Sequence, residues 1–337
     1  MPLYEHNSRT IASTSKGKSA VLGTRRLAVL VLALAALVVP AAGQADPPPV
    51  PVPVPPPVGT PLPPFVLPRL VGCGSSVHTL NLNYATIAAA LAAASPGGTI
   101  LICPGTYGGG FTISKNVTLR GSGGTPTISG GGTLPVVTVS AGVSVTIDNV
   151  TITGGNSFAG GGIFNRGTLT LDHSFVTGNH STNICAGAGL GGGGIYNGGT
   201  LTLKYSVVSG NDAHCDGAGI DNYGTLTLDN SSVDSNSSTA ASSFNTTSGG
   251  GIHNKGMLTL DNSHVDYNYA AWSGGGIFNE PGATTKLRTS STVNQNTAFS
   301  SGGIGNAGTL TYDATVTVSS NSFPQCSGVT VTANVCQ

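Results

Sequence analysis

The chain has 337 residues, of which 51 are glycine and only 8% are charged. An average globular domain has about 25% charged residues and about 7% glycine, so this composition excludes an ordinary two-layer domain. The hydrophobic fraction of 39% is too high for simple disorder, and the formal net charge of zero points the same way.

The first 45 residues have the pattern of an export signal. A basic segment precedes the unbroken apolar run Leu27–Val39, and small residues at 41–45 allow cleavage after Ala45. The run has 13 residues, fewer than the ~20 that a membrane-spanning helix needs. We therefore predict a signal peptide over 1–45, with an uncleaved anchor as the alternative. The pair Arg25–Arg26 leaves the general secretory and twin-arginine routes both open.

Residues 46–68 form a proline-rich linker with 12 prolines in 23 residues. Proline lacks an amide hydrogen, so this segment cannot enter a helix or a sheet interior. We expect a stiff polyproline II spacer, either a plain linker or a stalk that holds the following domain away from a membrane or a cell wall.

Cleavage after Ala45 removes five of the 13 basic residues and one of the 13 acidic residues, which leaves eight against 12 and a formal charge of −4. The mature chain has no dense basic patch, so nucleic acid is not an expected partner. It also has no apolar run long enough to span a membrane, and we expect a secreted monomer.

Six segments of the pattern Gly-Gly-Gly-Ile-x-Asn, or a close variant, recur along the rest of the chain. Their asparagines are separated by 32, 25, 32, 25 and 27 residues. Each segment is followed by a Thr/Leu strand such as "GTLTLKYS" and then by Val-x-x-Asn. A repeat of this length predicts a solenoid, here with three short parallel strands per turn of about 25 residues.

Alternation within the strands predicts which side chains fill the solenoid. Leu201 and Leu203 point inward with their equivalents on other turns, as do Val208 and Ile195. The two asparagine columns are expected to be structural, since stacked amides hydrogen-bond from turn to turn. The two 32-residue spacings place long loops after Asn179 and Asn236.

The N-terminal end of the solenoid needs a cap. The segment Tyr84–Ala94 predicts a short amphipathic helix with Ile87 and Leu91 on one face and Asn83 as its N-cap. Such a helix would cover the open core of the first turn.

An even number of cysteines in an exported chain predicts disulfides. Cys185 and Cys215 fall in the same loop on adjacent turns, and Cys326 with Cys336 would staple the last turn, which leaves Cys73 to pair with Cys103. No pair has the spacing of a zinc site.

The segment "TIAAALAAASPGGTILICPGTYGGGFTISKNVTLRGSG" resembles the opening of secreted, pectin-lyase-like, right-handed parallel β-helix proteins. The later repeats resemble those of polymorphic outer membrane proteins, with GGGI in place of a GGA-apolar tetrad and Val-x-x-Asn in place of Phe-x-x-Asn. The resemblance implies an all-β fold, a right-handed single-stranded parallel β-helix over 69–337. It does not specify an activity.

Outward columns of the repeat hold the candidate ligand-binding residues. One column reads Asp148, Asp172, Lys204, Asp229 and Asp261, and a second reads Thr177, Ser209, Asp234 and Asp266. Hard cations prefer several carboxylate oxygens, so the quartet of Asp229, Asp234, Asp261 and Asp266 is a candidate Ca²⁺ site. The alternative is a set of solvated surface side chains, and Arg288 is expected outside these columns through a register slip.

Histidines and aromatic residues supply no further predicted site. All histidines are interpreted as surface residues without metal spacing. Phe164, Tyr196, His253 and Phe278 share an outward column beside the Gly-Gly-Gly-Ile strands. That column either covers the glycine-rich face or stacks on sugar rings, and we favour the covering role.

Three functions are compatible with these features. The first is a secreted or cell-wall β-helix that binds carbohydrate or adheres to a glycan without catalysis, with no catalytic residue and no obligate cofactor. The alternative is a polysaccharide lyase or glycoside hydrolase that acts on an acidic polysaccharide through the aspartate quartet. A purely structural spacer is a third reading.

Overall fold

The computed structural model describes residues 73, 76–79, 82–183, 190–239, 247–322 and 324–328. The predicted signal peptide and proline-rich linker lie outside the described residues. Stacked parallel strands make up almost all of the described chain, which is a parallel β-helix with one short helix. The fold class expected from the repeats is therefore confirmed.

Most of the described turns contain four strands rather than the predicted three. In one turn these are β12 (Ile163–Asn165), β13 (Thr168–Asp172), β14 (Phe175–Thr177) and β15 (His180–Ser181). The fourth strand is only two residues long and begins directly after the corner Asn179. An alternating pattern cannot be recognised in two residues, so the repeat does not predict this strand.

The described strands form four stacks, and each stack is given a name here. The long sheet contains, in spatial order, β2 (Asn83–Tyr84), β1 (Val77–His78), β3 (Gly98–Ile102), β6 (Val117–Gly121), β9 (Ser144–Asp148), β13, β17 (Thr200–Lys204), β21 (Thr225–Asp229), β25 (Met257–Asp261), β28 (Thr284–Arg288) and β32 (Thr309–Tyr312). The Ile sheet contains β5 (Phe111–Ile113), β8 (Val137–Val139), β12, β16 (Ile195–Asn197), β20 (Ile220–Asn222), β24 (Ile252–Asn254), β27 (Ile277–Asn279), β31 (Ile304–Asn306) and β34 (Cys326–Ser327).

The other two stacks are shorter. The Val sheet contains β4 (Thr106–Gly108), β7 (Thr127–Ser129), β10 (Thr151–Thr153), β14, β18 (Val207–Ser209) and β22 (Ser232–Asp234), and it continues through bridges at His264 to β29 (Thr292–Asn294) and β33 (Thr317–Ser319). The corner sheet contains β11 (Asn156–Ser157), β15, β19 (Asp212–Ala213), β23 (Ser237–Ser238), β26 (Tyr269–Ala270) and β30 (Thr297–Ala298).

The predicted inward columns are confirmed by the register. Leu201 pairs with Leu169 on one side and with Leu226 on the other, and Leu203 does the same with Leu171 and Leu228. These leucines are fully buried. Each turn thus buries the apolar face of its neighbour. The stability of the solenoid is therefore approximately a sum of contributions from adjacent turns.

Both asparagine columns form continuous amide ladders. In the Ile sheet, the Nδ2 of Asn197 donates to the Oδ1 of Asn222 at 2.7 Å, and the Nδ2 of Asn222 donates to the Oδ1 of Asn254 at 2.7 Å. At the other corner, the Nδ2 of Asn211 donates to the Oδ1 of Asn236 at 2.9 Å. The predicted structural role of the asparagines is confirmed, because these buried amides satisfy one another and the backbone of the corners.

The capping helix is present but starts later than predicted. Helix α1 spans Ile87–Ala93, and its N-cap is Thr86, whose side chain accepts a hydrogen bond from the Ala89 amide at 3.1 Å. The predicted cap Asn83 and the predicted first residue Tyr84 instead form β2, which pairs with β1. Ile87, Ala90 and Leu91 are buried, so the helix covers the core as expected.

One of the three predicted disulfides lies wholly within the described residues. Cys73 is bonded to Cys103, with 5.3 Å between their Cα atoms. Cys215 and Cys326 are also disulfide-bonded, and the partners predicted for them, Cys185 and Cys336, lie outside the described residues. No helix in the described part of the chain is long and apolar enough to cross a membrane.

Candidate functional site

The aspartate quartet lies where the repeat predicted. Asp229 and Asp261 are direct neighbours in the long sheet, and Asp234 and Asp266 are neighbours one turn apart on the Val sheet side. The Asp234 carboxylate accepts a hydrogen bond from the Asp266 amide at 3.2 Å, and Asp266 accepts one from the Asn294 amide at 2.7 Å. The second pair therefore connects the backbones of successive turns. Ca²⁺ binding by the quartet stays a prediction.

Arg288 is a correction to the sequence interpretation. No register slip occurs in its turn, because β25 pairs with β28 so that Asp261 lies directly opposite Arg288. Thr285 and Leu287 occupy the inward positions that leucines hold on the other turns. An arginine thus follows the two aspartates in the same outward column.

Ligand-type side chains converge at two other places within the described residues. In each, one atom from each of three side chains lies within 4.8 Å of the others. One group is Asp148, Asp172 and His173, where Arg120 already pairs with Asp148 at 2.8 Å. The other is His180, Asp212 and His214 on the corner sheet. Neither group includes a member of the aspartate quartet.

The most elaborate polar arrangement lies on the outer face of the Ile sheet. The outward column there reads Phe164, Tyr196, Asp221, His253, Phe278 and Gly305 in successive strands. Asp221 and His253 are 0% and 1% exposed, although they point away from the core. The interpretation of every histidine as a surface residue was therefore wrong for His253, and it was also wrong for His78, which is buried near the N-terminal cap.

His253 is the centre of a group that we call the carboxylate–histidine cluster, formed with Asp216, Asp221 and Glu280. Its Nδ1 lies 3.1 Å from Asp221 Oδ1 and 3.9 Å from Asp216 Oδ2, and its Nε2 lies 3.1 Å from Glu280 Oε1. Backbone amides complete the group, because Gly191 donates to Asp221 at 2.7 Å and Ser248 donates to Asp216 at 2.8 Å. A buried imidazole with carboxylates at both ring nitrogens is held as a cation.

Proton affinities in the cluster follow from these contacts. Burial alone would lower the pKa of His253, but the hydrogen bonds to Asp221 and Glu280 and the charge of Asp216 together raise it to about 9. The hydrogen bond from His253 lowers the pKa of Glu280, whereas burial raises the pKa of Asp216. Glu280 and Asp216 retain 33% and 20% side-chain exposure, so two carboxylates with opposite pKa shifts reach the surface beside a buried cation.

A lysine and tyrosines border the cluster. The Nζ of Lys255 donates to the phenol oxygen of Tyr223 at 2.6 Å and lies 4.4 Å from the centre of its ring. Burial opposes the charged form of Lys255, but the charge of Asp221 and the bond to Tyr223 outweigh it and raise its pKa. The rings of Phe164 and Tyr196 stack at 4.7 Å with an interplanar angle of 11°.

Stacking along the solenoid axis decides what this aromatic column can bind. Phe164 and Tyr196 cover each other's facing sides and are both only partly exposed, so this column offers little open ring surface to a ligand. The covering role expected from the sequence fits this geometry better than sugar stacking does.

A more exposed aromatic pair is found on neighbouring turns of the solenoid. Trp272 and Phe299 stack at 5.4 Å, and they are 45% and 75% exposed. The Trp272 amide donates to the Thr247 carbonyl, and the next residue, Ser248, is the one that donates to Asp216. We call these two rings the aromatic platform; the backbone at 247–248 connects it to the carboxylate–histidine cluster.

Some contacts of this site could have been predicted from the sequence repeat. The aligned segments place Asp221 and His253 at the same position on adjacent turns, and an acid beside a histidine in one column is a signal for a hydrogen-bonded pair. Glu280 and Lys255 also share a column, directly after the ladder asparagines. Asp216 had no such signal, because its distance to His253 depends on the path of a corner rather than on strand register.

Comparison with known proteins adds no assignment. No protein family model, no curated protein and no solved structure matches this chain.

Proposed function

We propose that this protein is an extracellular, non-catalytic glycan-binding β-helix, and that it binds its ligand at the aromatic platform and at the exposed carboxylates of the carboxylate–histidine cluster. The observation that carries this proposal is the stacked pair Trp272 and Phe299, whose rings remain 45% and 75% exposed. The Trp272 amide donates to the Thr247 carbonyl, and the amide of the following residue, Ser248, donates to Asp216. Leaving two large aromatic rings in water gives up the free energy of their burial, which a binding role recovers.

Sugar chemistry matches this combination of groups. The C–H face of a pyranose ring is apolar and packs on an aromatic face, while its hydroxyl groups point sideways and donate to carboxylate oxygens. The buried His253 cation fixes Glu280 through a bond at 3.1 Å, so this acceptor is held in place before a ligand arrives. Preorganised acceptors lower the entropic cost of binding.

The charge of the site favours a neutral over an acidic polysaccharide. Asp216, Asp221 and Glu280 face two cations, His253 and Lys255, so the ionised group carries a net negative charge. Uronate polymers would meet like charge at the exposed carboxylates, which costs binding energy. We therefore expect neutral glycans to bind more tightly than pectate or alginate.

A glycan array tests this proposal with the wild-type protein and the Phe299→Ala variant. We expect binding to a set of neutral glycans that the variant loses. Phe158→Ala is the matched control, because Phe158 follows β11 as Phe299 follows β30 and is 58% exposed. An array without any bound glycan, or equal binding by both variants, would contradict the proposal.

A polysaccharide-cleaving enzyme is the second candidate, and one observation favours it. Catalytic carboxylate pairs need one acid and one ionised partner, and the pKa of Asp216 is raised while that of Glu280 is lowered. An assay for new reducing or unsaturated ends on neutral and acidic polysaccharides separates the two functions. Turnover that Glu280→Gln abolishes would replace the binding proposal, and no turnover on this panel supports it.

We also propose the family and the location that the sequence indicated. The opening segment and the repeats support a remote relationship to pectin-lyase-like β-helix proteins and to polymorphic outer membrane protein repeats. The predicted signal over 1–45 and the linker over 46–68 support export, with the β-helix held at the cell surface or in the cell wall. N-terminal sequencing of the protein from culture medium tests this, and we expect the chain to start at Asp46.

A further inference from the structure

We propose that His180, Asp212 and His214 form a binding site for a divalent transition metal ion of the zinc class. The site lies on the corner sheet, apart from the carboxylate–histidine cluster and from the aspartate quartet. It bridges two adjacent turns of the solenoid, because His180 belongs to β15 and Asp212 to β19.

The strand register brings the three side chains together. His180 pairs directly with Asp212, and His214 follows two residues later, past the buried Ala213, so it returns to the outward side. The His214 amide also donates to the Ser181 carbonyl, which holds the extended path of the chain. Parallel strands are about 4.8 Å apart, so side chains of neighbouring strands on one face lie within reach of a single ion.

Observed distances are close to those that a metal ion requires. The Nδ1 of His180 lies 2.8 Å from the Oδ2 of Asp212, and the rings of His180 and His214 meet edge to face at 4.8 Å between centres. One ligand atom from each residue lies within 4.8 Å of the other two. Ligand atoms around a tetrahedral zinc ion are ~3.3 Å apart, so small side-chain rotations suffice to close the site.

The chemistry of these ligands selects the ion. Two imidazoles and one carboxylate suit zinc, cobalt, nickel and copper, whereas Ca²⁺ and Mg²⁺ prefer oxygen ligands alone. Three protein ligands leave at least one coordination position for water or for a ligand. His180 and Asp212 retain 30% and 43% side-chain exposure, so an ion can reach them from solvent.

The scaffold holds the ligands in place. Cys215 follows His214 directly, is fully buried and is disulfide-bonded. On the other strand, Ser181 follows His180 and is buried, with its hydroxyl donating to the Phe158 carbonyl at 2.9 Å. Both histidines are therefore attached to fixed backbone, which reduces the entropy that metal binding has to overcome.

Metal titration of the purified protein without a polyhistidine tag tests this site. We expect a single equivalent of Co²⁺ to bind with a visible d–d absorption band, and Zn²⁺ to displace it. His180→Ala and His214→Ala should each weaken binding about tenfold or more. His264→Ala, which removes an exposed histidine on the Val sheet side, should bind the metal as the wild type does.

Two outcomes would overturn the proposal. The first is the absence of saturable binding at one equivalent, and the second is wild-type affinity in both His180→Ala and His214→Ala. Circular dichroism checks that the variants are folded. Should an alanine variant not fold, Asp212→Asn decides the question, because it keeps the shape of the side chain and is expected to lower the affinity for Co²⁺ and Zn²⁺.

Discussion

The imidazole of His253 lies 3.1 Å from the carboxylate of Asp221, and both side chains are buried on the outer face of a β-helix whose core is on the other side of the sheet. They occupy the same position on successive turns and pair in register. A column of the repeat that elsewhere holds Phe164 or Tyr196 is here used for an ion pair. The turns of Asp221 and His253 therefore differ from those of Phe164 and Tyr196, because an ion pair takes the place of stacked aromatic rings at this position.

His253 should make stability depend on pH in the neutral to alkaline range. Its pKa is raised from 6.5 to about 9 by Asp221, Glu280 and Asp216, so the folded state holds a proton that the unfolded state releases. The stabilisation is complete below about pH 6.5 and is lost as the pH rises through about 9, with a size on the order of 3 kcal/mol.

Urea denaturation between pH 6.5 and pH 9 measures this effect. We expect the wild-type midpoint to fall across this range and the midpoint of His253→Gln to change much less. His264→Gln is the control and should keep the wild-type slope. A wild-type midpoint that stays constant, or a slope that survives in His253→Gln, would show that the cluster is not held by a cationic imidazole.

We predict that a single asparagine of the Ile-sheet amide ladder contributes strongly to the stability of the fold. Asn222 is fully buried, donates to Asn254 at 2.7 Å and accepts from Asn197 at 2.7 Å. Asn222→Ala removes one ladder hydrogen bond from each neighbour inside a buried corner and should cost about 2–4 kcal/mol of unfolding free energy.

Asn156→Ala is the matched control for the ladder, because Asn156 is an exposed asparagine on the corner sheet. It should change the unfolding free energy by less than about 0.5 kcal/mol. Equal destabilisation by both substitutions, measured by thermal and urea unfolding, would mean that the ladder amides are not what holds the corners.

The backbones of successive turns approach so closely at some glycines that we expect no side chain to fit there. A Cβ at Gly194 would lie 2.6 Å from the Gly219 carbonyl oxygen and 2.9 Å from the side-chain Nδ2 of Asn211. Gly194→Ala therefore forces neighbouring turns apart and should destabilise the protein by about 1–3 kcal/mol.

Gly131→Ala provides the comparison in the same protein. Gly131 has no atom within 4 Å of an added Cβ and no positive φ, so the substitution only restricts the unfolded chain. Its melting temperature should equal or slightly exceed that of the wild type. A Gly194→Ala variant as stable as Gly131→Ala would be incompatible with the inter-turn spacing described above.

The fold followed from the sequence because it depends on short-range periodicity. Alternation at Leu201 and Leu203 and the spacing of Asn197 and Asn222 determine inward columns and ladders, and both are confirmed by the register. Arg288 was misplaced because the segment ATTKLRTS departs from the Thr/Leu pattern of the other turns and was interpreted as a register slip. In the structure the register is kept, and Thr285 stays buried at an inward position with its hydroxyl donating to Asn279.

The candidate site was less predictable, for a physical reason. His253 was assigned to the surface because outward positions of a sheet are usually solvated, and its burial depends on how corners and loops fold over the Ile sheet. Asp216 and Trp272 lie in such connections, where no periodic pattern constrains the path. The contact between a strand residue such as His253 and a corner residue such as Asp216 depends on the path of the chain through the corner. Strand register alone does not predict that path.

Titration calorimetry with a neutral glycan selected on the array tests the proposed function most directly. Phe299→Ala should weaken binding by more than about 1 kcal/mol, as truncation of an aromatic residue that dominates a binding site does. Phe158→Ala should leave the dissociation constant unchanged. Equal affinities of wild type and Phe299→Ala would contradict a glycan-binding role for the aromatic platform.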